Sequence, residues 1–179
     1  MLEGVTRRQL ILYATPAGPL ADACERYYSA ASAIGPTAAQ TYPPHCTLTG
    51  FFHRSPHQAD QVIAEMKALI SDAGRVPDGA VGVEGPTVIE GWVGLELASP
   101  WLADLTARIV ACHRLRPGDD ALRPKNWLHL SLAYGIASPA RVEPFAELAQ
   151  ELVTPAAPAV WEVAVWERTG RERGDWVQH

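Results

Sequence analysis

The chain has 179 residues, 47% of them hydrophobic and 20% charged, with a formal net charge of −5 and a pI near 5.6. That size and composition predict one soluble globular domain spanning residues 1–179. An acidic total argues against a protein that tracks a long polyanion, which meets a basic surface, and favours a small substrate in a local pocket. No apolar run approaches the roughly 18 residues of a membrane span.

Basic residues before a short apolar run give the N-terminus a faint likeness to a signal peptide. The run is only LILYA and ends in TPAGP, so a first buried strand is the better reading. QLILYAT (9–15) is that strand, and PLADACERYYSAASAIG (19–35) reads as a helix stopped by Gly35 and Pro36. A strand is expected over about 43–52. A helix follows over 55–74, with Ser55 as cap, Pro56 in its first turn and Gly74 at its end. Residues 80–90 and 92–98 read as a hairpin about Gly91. Beyond them come a helix (99–115), a loop, a strand (126–135), a helix (137–153) and an alternating strand (159–170). The last nine residues are polar and carry no clear pattern.

Two features repeat. YATPAGPLADACER (13–26) and LASPWLADLTAR (97–108) share a strand end, a proline, then Leu-Ala-Asp and an arginine. Each precedes a histidine-bearing strand by nearly the same length of chain. A duplicated strand–helix–strand–helix unit accounts for both, although common helix-start residues would produce part of the likeness.

The second repeat is chemical. HCTL places Thr47 two residues after His45, and HLSL places Ser131 two residues after His129. Side chains at i and i+2 of a strand share a face, so His45, Thr47 and Thr49 are expected to project together while Cys46 and Leu48 are buried. By the same parity His129 and Ser131 project, and Leu128, Leu130 and Leu132 are buried. An imidazole beside a hydroxyl is half of a phosphate site: the hydroxyl donates to a non-bridging oxygen and the imidazole moves a proton. Two such halves supply the acid and the base of phosphodiester cleavage without a metal or other cofactor. His53-Arg54-Ser55 also matches, but a helix begins at Pro56, which sets it aside.

The pair HCTL and HLSL resembles the two-histidine (2H) phosphoesterase superfamily, over almost the whole chain. That resemblance implies an α+β (α/β) fold of two lobes, with two antiparallel-rich sheets facing each other across a central cleft and helices outside. It implies His45 and His129 as catalytic residues and Thr47 and Ser131 as phosphate ligands. HLSLAYG looks most like the plant and yeast cyclic phosphodiesterases, which puts Tyr134 in the nucleotide pocket. Strict alternation would turn Tyr134 away, so it reaches the cleft only if the strand ends or bulges near Ala133. The activity implied is hydrolysis of a five-membered cyclic phosphate, in a 2′,3′-cyclic nucleotide or ADP-ribose 1″,2″-cyclic phosphate. Processing of RNA 3′ ends, by the RNA 2′,3′-cyclic phosphodiesterase or 2′-5′ RNA ligase group, is the alternative. A non-catalytic phosphate-binding module is the third.

The remaining residues carry weaker signals. His57 and His113 fall in helices without hydroxyl partners. Trp92, Trp101, Trp161 and Trp166 read as core packing, whereas Trp127 and Phe51 are candidates for the cleft border. Arg54, Arg123 and Lys125 lie near the motifs and read as solvated loop cations. Asp119 and Asp120 are assigned no chemistry. Cys46 is expected to be a small buried hydrophobe, not a nucleophile. Three cysteines, odd in number and without CxxC spacing, fit a reducing cytoplasm. The expected protein is a cytoplasmic monomer that meets a small cyclic-phosphate nucleotide and no membrane.

Overall fold

The computed structural model describes residues 7–115, 120–136, 138 and 141–179. Among the described residues are eight strands: β1 (Arg8–Ala17), β2 (Cys46–Thr47), β3 (Phe52–Arg54), β4 (Gly82–Ile89), β5 (Trp92–Ala98), β6 (His129–Ala133), β7 (Val160–Arg168) and β8 (Trp176–Gln178). Four α-helices accompany them there: α1 (Pro19–Ala31), α2 (Pro56–Ala73), α3 (Pro100–Ala111) and α4 (Val142–Leu152). Asp119 and the expected start of the fourth helix at 137–140 (all but residue 138) lie outside the described residues.

Helix starts follow the sequence grammar. Ser99 Oγ accepts from the Leu102 N–H at 3.2 Å at the head of α3, and the Gln58 side chain accepts from the Ser55 N–H at 3.3 Å at the head of α2. Gly74 closes α2 with a positive φ of 79°. In α1 the buried set Leu20, Ala23, Cys24, Tyr27, Tyr28 and Ala31 recurs at helical spacing, so one stripe is apolar and the helix must bury it.

It does so against a sheet. Among the described residues all pairings are antiparallel, in the order β4-β5-β6-β2-β1-β7-β8, with β3 also pairing β1. Outside the β6–β2 seam stand β5 and β4 on one side and β1, β7 and β8 on the other. Leu10, Leu12 and Ala14 of β1, Cys46 of β2, Val93, Leu95 and Leu97 of β5, and Leu130 and Leu132 of β6 join one core with residues from all four helices. Alternation therefore leaves Tyr13, Thr47, Trp92, Gly94, Glu96, His129 and Ser131 on the opposite face. The molecule has a helical layer, a sheet, and a polar-aromatic face beyond it.

Two expectations change. The expected pair of facing sheets is one continuous hydrogen-bonded sheet, because β2 and β6 pair directly at Cys46↔Leu130. The strand expected over about 43–52 is also broken: β2 has two residues, then Thr49 bridges Pro124 and the chain turns into β3. Thr49 consequently does not project with His45. It is fully buried, and its Oγ1 accepts from the Leu12 N–H at 3.1 Å.

That bond generates a prediction. Thr49→Val keeps the shape but leaves the Leu12 N–H unpaired in the core, so urea unfolding should show a loss of about 1–3 kcal/mol. An unchanged midpoint would mean the hydroxyl does not hold the strand end.

Candidate active site

The two motifs meet because β2 and β6 are antiparallel neighbours. With Cys46 opposite Leu130, the register carried one residue either way sets His45 opposite Ser131 and Thr47 opposite His129. Cys46 and Leu130 go into the core, and the four polar side chains line one hollow of about 300 Å³. Tyr13, Tyr42, Phe51, Trp92, Lys125 and Tyr134 share its wall. The candidates His45, Thr47, His129, Ser131 and Tyr134 are thus brought together. Each histidine stands beside the other motif's hydroxyl as well as its own.

Both imidazoles are held alike. His45 Nδ1 lies 2.7 Å from the Pro43 carbonyl oxygen, and His129 Nδ1 lies 3.2 Å from that of Trp127. A carbonyl only accepts, so each Nδ1 carries the hydrogen and Nε2 keeps its lone pair for chemistry. Tyr13 stacks on His45 at 3.9 Å between ring centroids, and Trp127 stacks on His129 at 4.0 Å. Trp92 meets the His129 ring edge-on at 5.4 Å.

Electrostatics keep both rings neutral at rest. Burial first, with a smaller push from the positive form of His129, brings the His45 pKa down to about 4 against the opposing bond to the Pro43 carbonyl. His129 is also lowered, by burial first and then by Lys125. Glu96, across from His129 in the β5–β6 register, acts the other way. Arg168, behind the lining, adds positive potential at Tyr13 and Tyr134; its guanidinium lies 5.9 Å from the Tyr42 ring and 5.7 Å from the Trp176 ring.

The Ser131 hydroxyl has a defined direction of donation. Its Oγ accepts from Trp92 Nε1 at 2.9 Å, while the Ser131 carbonyl accepts from the Tyr28 hydroxyl at 2.8 Å. The serine hydrogen remains for a ligand. Trp92 reaches Ser131 by lying across Gly94, where an added Cβ would collide with the indole and with the Leu130 carbonyl.

Tyr134 reaches the hollow through a bulge. The β5–β6 register steps from Gly94↔Ser131 to Val93↔Ala133, which leaves Leu132 as the extra residue. Leu132 and Ala133 are both buried, so parity inverts and Tyr134 rejoins the face of His129. Burial raises its pKa, and the neighbouring Tyr42 acts in the same direction.

Other sequence readings sort as follows. Phe51 lines the hollow, whereas Trp127 meets the site only by stacking on His129; both are exposed. Trp161 is a core residue, but Trp92 is a site residue, and its place opposite Val93 and Leu95 in strand parity was the available signal. The sequence reading does not reach Tyr13 and Tyr42, whose rings lie 3.9 and 5.6 Å from His45, nor Trp176 and Arg168, which stand behind those tyrosines. Arg54 is not a solvated cation: it is fully buried, donating to the His53 and Leu115 carbonyls at 2.8 and 3.1 Å. Lys125 lines the hollow. His53 faces Asp120 at 2.8 Å, and His57 and His113 are surface residues. Cys46 is fully buried, its thiol pushed up to about 12, which suits a packing residue. No helix among the described residues is long and apolar enough to cross a membrane. No protein-family model matches the chain, and no curated protein matches it.

Two predictions arise here. The folded pKa of His45 lies below the unfolded value, so the unfolded chain binds more protons between about pH 6.5 and 4, and stability falls as pH drops through that window. Compared with His45→Asn, the wild type should lose about 2–3 kcal/mol more between pH 7.5 and 4.5 in urea titrations. Equal losses would contradict a buried neutral ring. Gly94→Ala should cost about 1–3 kcal/mol in thermal unfolding and shift tryptophan emission as Trp92 leaves Ser131. An unaltered spectrum and melting point would remove that role.

Proposed function

We propose that this protein is a cyclic phosphodiesterase that hydrolyses a five-membered cyclic phosphate, on a nucleotide or ADP-ribose, to a phosphomonoester. The observation that carries this reading is the single hollow holding His45, Thr47, His129 and Ser131, with both Nδ1 atoms tied to carbonyls. One Nε2 takes a proton from water as its oxygen attacks phosphorus. The other imidazole, protonated, gives its proton to the ribose oxygen as the P–O bond breaks. Thr47 and Ser131 donate to the non-bridging oxygens. The two imidazoles do both proton transfers, so the cycle needs no metal.

The resting neutrality of both rings suits this scheme. A bound phosphate anion is the opposite charge that raises a nearby histidine pKa, so substrate itself charges the acid. The other ring stays neutral as the base. Each positioned group is worth about 10²–10⁴ in rate. The motif strands β2 and β6 lie side by side, each with a longer strand, β1 or β5, on its outer side, which supports a duplicated origin for the two lobes. The three cysteines are free, which fits a reducing cytoplasm.

His45→Ala and His129→Ala should each lower turnover of 2′,3′-cyclic nucleotides by about 10²-fold or more while circular dichroism stays native. Phosphorus NMR of a panel extended to ADP-ribose cyclic phosphate and cyclic-ended RNA reads the product directly. Undiminished turnover in either variant overturns the mechanism. Binding without product would leave a phosphate-binding module.

A further inference from the structure

A second hollow, of about 510 Å³, adjoins the first and shares Gly50, Phe51 and Lys125 with it. Its other walls are His53, Asp120, Ala121, Arg123 and Pro124. The basic segment is anchored to the motif strand's continuation. Gly50 N–H donates to the Arg123 carbonyl at 2.8 Å, Lys125 N–H donates to the Leu48 carbonyl at 2.9 Å, and Pro124 bridges Thr49. Arg123 and Lys125, two residues apart on an extended segment, share a face. Asp120, the one carboxylate on the wall among the described residues, is engaged: it accepts from the His53 backbone N–H at 3.1 Å and pairs with His53 Nδ1 at 2.8 Å. Arg7, which donates to the His53 carbonyl, adds further positive potential at Asp120.

We infer that this hollow is a second anion subsite, which takes the 5′-phosphoryl group of the same ribose whose cyclic phosphate sits between the histidines. This rests on the cyclic-phosphate reading of the first hollow. The preferred substrate then carries two phosphates on one ribose. The second can be a terminal monoester, the pyrophosphate of an ADP-ribose-like molecule or the diester of an RNA 3′ end. Lys125, common to both hollows, lies between the two anions, and Arg123 belongs to the outer one alone.

Calorimetric titration separates this from catalysis, because it uses products and needs no turnover. Wild type should bind adenosine 2′,5′- or 3′,5′-bisphosphate about ten- to a hundredfold more tightly than the matching 2′- or 3′-monophosphate, as a charge-assisted hydrogen bond implies. Arg123→Ala should bring that ratio close to one, and Arg123→Glu should take it below one. Raising salt should shrink the wild-type ratio. A wild-type ratio near one, or a ratio that survives both substitutions, overturns the subsite. A preserved ratio pattern with no hydrolysis of any cyclic phosphate would instead defeat the catalytic reading and leave the subsite standing. Turnover of ADP-ribose cyclic phosphate against a cyclic-ended dinucleotide then tells which second phosphate is used.

Discussion

One antiparallel strand pair organises the site. Where Cys46 faces Leu130, the two chains run in opposite directions about a local two-fold axis normal to the sheet. Any His-x-hydroxyl tripeptide centred on one of those residues is carried onto the other by that axis. Two imidazoles and two hydroxyls therefore come together as a quartet once the central residues are paired. The same axis accounts for the matching restraint of each ring, Nδ1 to the carbonyl two residues back.

Around that quartet the environment works against charge. Tyr13, Trp127 and Trp92 cover the rings with aromatic surface, and desolvation lowers both histidine pKa values. Lys125 adds positive potential at His129, which disfavours its imidazolium form, and Arg168 adds positive potential at the neighbouring Tyr13 and Tyr134. A hollow with that field and two neutral imidazoles favours an anion over a further cation.

Much of the fold was legible because its local signals were strong. Helix caps at Ser55 and Ser99, the stripe of α1 and the hairpin about Gly91 all follow from short-range chemistry. Strand parity placed Cys46 and Leu130 in the core and His129 and Ser131 outside it. Parity failed at Thr49, where β2 ends, and it would have misplaced Tyr134, because the bulge at Leu132 inserts one residue. Arg54 was misread for a related reason: charge suggests solvent, yet two carbonyls at the end of its reach make burial tolerable.

The chain of residues by itself determined the chemical parts of the site, His45 with Thr47 and His129 with Ser131, and the faces on which most of them stand. Both follow from residue type and a two-residue period. Only the tertiary structure decided that the motifs are neighbours in one sheet and that Tyr13, Trp92 and Lys125 surround them. Pairing between strands so distant in the chain depends on a shared core under the sheet, and that core has no signature within any single segment.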